Sequence, residues 1–189
     1  MKTVFLLLCL TSFGFFVTST KTAEINIKKG SEVVIEGRSN VNHFNCEYIT
    51  VISKGIKEIN YNIYDDTYLL NDATLSLETK AFDCGGRMIN KDFNKLMQSE
   101  DHPNILIKLK HIKAYNDIFK ITADIYIAGK MNTYTFEMCL NEGDNYTGML
   151  SLNIEDFDME APRKLMGAIK VDPEIDINFD LDISINQSK

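Results

Sequence analysis

The sequence predicts an all-β chain of about eight antiparallel strands, closed into a barrel or packed as two sheets. Three observations carry this reading. Ile175, Ile177, Phe179, Leu181, Ile183 and Ile185 alternate with Asp176, Asn178, Asp180, Asp182 and Ser184, the period-two pattern of a strand with one dry and one wet face. Turn residues recur at intervals suited to a meander: Gly30, Gly55, Asn71-Asp72, Asn116-Asp117, Gly129 and Glu142-Gly143-Asp144. The 189 residues are 44% hydrophobic and 25% charged, enough apolar matter for one packed core and too much for a disordered chain.

Met1-Lys2, the apolar run Val4 to Leu10 and the mixed stretch Thr11 to Thr20 follow the grammar of a signal peptide. Residues 1–20 are therefore expected to be removed, with cleavage between Ser19 and Ala23. Thr11, Ser12 and Gly14 break the apolar run well short of the ~20 residues a membrane span needs. A lipid anchor on Cys9 is disfavoured by Leu8, which stands where a small residue is required. The mature part, 23–189, is expected to be a single secreted or periplasmic barrel domain without a membrane span.

Strands are predicted at Val33-Ile35, Tyr48 to Ile52, Ile59-Tyr61-Ile63 and Leu75-Leu77. Ile89, Phe93, Leu96 and Met97 recur at helical spacing and predict one amphipathic helix from Arg87 to Gln98, stopped by His102-Pro103. Further strands follow at Ile105-Ile107-Leu109, at Phe119 to Ile127, at Tyr134 to Leu140 and at Tyr146 to Ile154. The segment from Phe157 to Asp172, with Pro162, reads as a short helix or a covering loop.

One-sided strands must hide their dry faces. Asp, Asn and Lys on the opposite faces exclude a membrane barrel, so the apolar set points inward. An eight-stranded barrel has an interior that is either filled by side chains or wide enough for one small ligand. With 27 acidic against 20 basic residues the net charge is −7, a field that repels nucleic acid. A homodimer is compatible with this sequence.

Beyond the leader stand Cys46, Cys84 and Cys139, and an oxidising compartment favours pairing. Cys46 and Cys84 share the setting Phe-x-Cys, which marks them as the candidate disulfide. Three pairings remain open, as do three buried free thiols. No C-x-x-C pair is present for a metal. His43, His102 and His111 lack two-ligand spacing, so they read as loop and strand residues, and no metal is expected. Glu155, Asp156, Asp158 and Glu160 lack the calcium-loop pattern and read as a solvated acidic loop. The sequence carries no nucleophile elbow, phosphate-cradling glycine loop or dinucleotide fingerprint. No catalytic residue and no cofactor is therefore expected. The sequons Asn145-Tyr146-Thr147 and Asn186-Gln187-Ser188 matter only in a eukaryotic secretory route.

Four blocks, Gly37 to Phe44, Phe93 to Leu96 leading into His102-Pro103-Asn104-Ile105, Leu152 to Phe157, and Val171 to Phe179, are similar in order and spacing to those of the YceI-like family. The resemblance spans nearly the whole mature chain. It implies an extended, lipocalin-like eight-stranded antiparallel barrel with one or two short helices, exported from a bacterial cell, whose tunnel holds a long isoprenoid or other lipid. The sequence departs from the family in having no Trp and in keeping three cysteines beyond the leader. Candidate tunnel-lining residues are the aromatic and flexible apolar groups Phe82, Phe93, Leu96, Met97, Ile107, Phe119, Phe136, Met138, Leu150 and Phe179. Tyr126, Tyr134 and Arg87 are candidate head-group contacts.

The function these readings predict is a non-catalytic carrier of a long apolar ligand, isoprenoid or fatty-acid-like. The alternative is an envelope stress or interaction protein whose barrel is filled and which binds a protein partner, with an exposed apolar patch around Leu165 and Met166.

Overall fold

The computed structural model describes residues 20–52, 57–164 and 168–187. Residues 1–19 of the leader, Gly55, Leu165, Met166 and Ser188 of the second sequon lie outside the described residues. Twelve strands occur among the described residues: β1 (Lys21–Ile27), β2 (Glu32–Ser39), β3 (His43–Tyr48), β4 (Lys57–Tyr64), β5 (Thr67–Glu78), β6 (Phe82–Asp83), β7 (Asn104–Tyr115), β8 (Ile118–Ile127), β9 (Lys130–Leu140), β10 (Asn145–Asn153), β11 (Arg163–Lys164) and β12 (Ile169–Gln187). One α-helix among the described residues, α1 (Arg87–Leu96), follows β6.

Eight of these strands close a ring, β1-β4-β5-β7-β8-β9-β10-β12 and back to β1, with every pairing antiparallel. The 19 residues of β12 make closure possible. One edge of β12 pairs with β10; the other pairs with β2 from Ser39 to Glu32 and then with β1 from Ile27 to Ala23. Strands β1 and β2 thus run in line along β12, with the turn between them at Gly30, whose φ of 97° suits glycine. From β2 the sheet branches into β3 and β6, which cover one end of the barrel.

The structure corrects several local expectations. The strand expected at Tyr48 to Ile52 is β3 instead, and it stops at Tyr48; the Ile49 N–H then turns to the Ala81 carbonyl. Asn71-Asp72 is not a turn between strands. It lies within β5, where Asp72 takes a φ of 59° and the register with β7 slips between Leu69 and Ala73, a β-bulge. The hairpin turn that joins β4 to β5 is made by Asp65 and Asp66, both at positive φ. Helix α1 ends at Leu96, before His102-Pro103: Gln98 adopts a φ of 51° and the Ser99 N–H closes on the Asn94 carbonyl. The segment after Phe157 pairs β11 with the first residues of β12.

Along its length the barrel is of two kinds. At the β2–β3–β6 end the interior is solid: Val33, Ile35, Leu77, Ile105, Ile125, Ile127, Leu150 and Ile177 are almost wholly buried. Phe93 of α1 and Met97 at its C-cap, with Ile154, Phe157 and Met159 after β10, complete the same cluster. Cys46 in β3 and Cys84 beyond β6 are joined by a disulfide across 38 residues, tying the branch to the chain that enters α1. Cys139 is free and exposed. At the opposite end, where β4 meets β5 and β7 meets β8, the inward side chains stand apart and leave a hollow.

Candidate functional site

The hollow is a cavity of about 380 Å³. Period two sends alternate residues of eight strands into it: Ile25 and Ile27 from β1, Ile59 and Tyr61 from β4, Leu70 and Leu75 from β5, Leu109 and Ile112 from β7, Phe119 and Ile121 from β8, Phe136 and Met138 from β9, Tyr146 from β10, and Leu181 and Ile183 from β12. Nearly all of this wall is apolar. Its exposed members are Lys57, Glu58, Asp72, Ile185 and Gln187, which mark where the hollow meets solvent. The Lys57 ammonium donates to the Thr74 carbonyl at 3.5 Å.

Aromatic contacts stiffen the wall. Tyr61 and Tyr68 sit with ring centroids 5.8 Å apart, Phe119 and Tyr146 5.6 Å, and Phe136 and Phe179 5.9 Å. Between β9 and β12, Gly148 lies opposite both Met138 and Phe179. A Cβ at Gly148 would come within 2.6 Å of the Glu137 carbonyl oxygen and of Met138 Cγ, so the glycine is what admits this close approach. Burial pushes the Tyr146 phenol up from its ordinary value, with Asp144 adding to the shift, so it faces the hollow as a neutral hydroxyl.

Of the residues the sequence nominates as liners, Ile107, Phe119, Phe136, Met138 and Phe179 face the cavity. Phe82, Phe93, Met97 and Leu150 are buried in the solid end, and Leu96 packs partly buried against it. Sequence reasoning passed over the aliphatic and tyrosine half of the wall, Ile25, Ile27, Tyr61, Leu109 and Ile183 among them. The signal for these residues was the same period-two alternation that defined the strands. None of Tyr126, Tyr134 and Arg87 lines the hollow.

Tyr134 belongs to the opposite end. Its hydroxyl donates to the Asp156 carboxylate and its ring stacks on Phe157. Burial, and then the hydrogen bond to Asp156, push Tyr134 up to about 12. The folded protein therefore holds this proton more tightly than the unfolded chain does. The resulting stabilisation is complete below pH 10 and is lost as pH rises towards about 12. Thermal unfolding of wild type should fall across that window relative to Tyr134→Phe; parallel profiles would remove the assignment.

Two further acidic residues and one histidine serve the structure. Asp158 pairs with Lys130, and Asp124 accepts the Thr133 hydroxyl at 2.6 Å with Lys110 alongside, which together hold its carboxyl below the usual range. Gly129, at a φ of 77°, makes room for the His102 ring, whose Cε1 would stand 2.6 Å from a Cβ there.

A closed antiparallel eight-strand ring around an apolar hollow defines the class: a β-barrel of lipocalin-like form. The YceI-like domain matches residues 17–183, and the chain belongs to that family. Among solved structures it is similar to Burkholderia cenocepacia BcnA, at 16% identity and a TM-score of 0.62, over 84% of this chain and 99% of that one. It is also similar to the Campylobacter jejuni YCEI protein, at 10% identity and a TM-score of 0.48, over 74% and 91% of the two chains. The likeness to BcnA shows the fold. No curated protein matches.

Proposed function

We propose that this protein is a secreted or periplasmic carrier that holds an apolar chain, isoprenoid or fatty-acid-like, in the hollow end of its barrel without a covalent step. The observation that carries the reading is the 380 Å³ cavity walled almost wholly by hydrocarbon side chains, within the size range of small-molecule pockets. Each methylene moved from water into such a site gains about 0.8 kcal/mol, so ten buried carbons leave several kcal/mol after ordering costs. Export through the leader at residues 1–20 is part of the same reading, and a cut ahead of Lys21 would leave β1 whole.

Purified protein titrated with a fluorescent fatty acid should take it up saturably at one site, and organic extraction should release a co-purified lipid. Absence of both outcomes would overturn the reading.

A further inference from the structure

The hollow stops halfway along the barrel, and the place where it stops is defined residue by residue. The innermost cavity-lining positions on their strands are Ile27, Leu75, Ile107, Ile121, Phe136 and Phe179. One inward position further along, Leu77, Ile105, Ala123 and Ile177 are buried in the solid core and do not touch the cavity. A chain that enters past Lys57, Asp72 and Gln187 therefore meets a floor rather than a through-tunnel.

Resting on the carrier reading, we propose that these floor residues make the cavity a length gauge. It accepts one single-chain ligand of about a dozen carbons and excludes longer and two-chain lipids from full burial. At about 30 Å³ for each water-sized group, 380 Å³ holds about a dozen carbons of one chain, with no space for a second. The stacked rings of Phe136 and Phe179, 5.9 Å apart, form the rigid part of the floor. Both are buried in the core cluster as well as facing the hollow. The head group stays at the rim, where the wall's charged side chains stand.

The test is a titration of the full chain with straight-chain alkanoic acids from about eight to about twenty carbons, below their micellar concentrations. Affinity should rise about fourfold with each added methylene up to about twelve carbons and then level off. Phe179→Ala removes the ring from the floor and should move the plateau out by about three carbons. Ala73→Phe places a ring inside the hollow and should move it in, which keeps the proposal testable where the floor variant folds poorly. Affinity that keeps rising to about twenty carbons in wild type, or a plateau that neither variant moves, overturns the gauge and leaves the carrier reading intact. No binding at any length overturns both.

Discussion

Replacement of Cys46 and Cys84 together by alanine is expected to lower stability by about 4 kcal/mol, the chain-entropy value for a loop of this size, since the bridge closes 38 residues. For a domain of this length that corresponds to a fall in melting temperature of about 8–16 °C. The location sharpens the expectation. Both cysteines are buried, and β6 has only two residues, Phe82 and Asp83, with which to pair with β3. Without the bridge, β6 and helix α1 are held over the solid end chiefly by Phe82, Phe93 and Met97. The loss should appear first as early amide exchange in β3 and α1, before the ring strands β7–β9 open. Unchanged melting in the double variant would contradict this account, as would three alkylatable thiols rather than one among Cys46, Cys84 and Cys139 in the unreduced protein.

The second large effect is a contrast within one strand. Ile177 and Ile183 both face inward from β12, and both are isoleucine. Ile177 is 1% exposed in the solid end, whereas Ile183 lines the hollow. Ile177→Ala should cost about 3–5 kcal/mol, because close-packed neighbours cannot collapse into the space left behind. Ile183→Ala only enlarges a space that already exists, and should cost about 1–2 kcal/mol, its lost contact with the wall. The expected gap of about 2 kcal/mol reads directly in chemical denaturation midpoints at constant slope. Equal costs at the two positions would mean that the hollow closes in solution.

This contrast also shows where sequence reading reaches and where it stops. The alternation in β12, β8 and β9 reports which side chains point inward, because the pleat imposes it locally. It carries no information on how far along the barrel a given inward residue lies, since that depends on the stagger of eight strands that meet only on closure. Thus Phe119 and Leu150 look alike in sequence, yet one faces the hollow and the other is sealed in the core. The same gap explains the turns. Asn71-Asp72 has turn chemistry but is absorbed as a bulge, because Thr67–Glu78 is paired on both sides of it. Asp65-Asp66 makes the actual hairpin without the glycine that usually announces one. Barrel closure through β12 accords with the length of its alternation, while the succession of β2 and β1 along one edge of β12 rests on register and not on any residue type.

The most direct measurement is the uptake of one fluorescent fatty acid by wild type and by Ala73→Phe, side by side. Ala73 is buried and lines the hollow, so the larger ring occupies space the ligand needs and makes no demand on the solid end. Wild type should bind one molecule saturably. The variant should bind at least about tenfold more weakly, the cost of about two displaced methylenes, while melting at or above the wild-type temperature. Equal uptake by both proteins would place the ligand outside the barrel, and uptake by neither would leave the cavity without the role assigned to it.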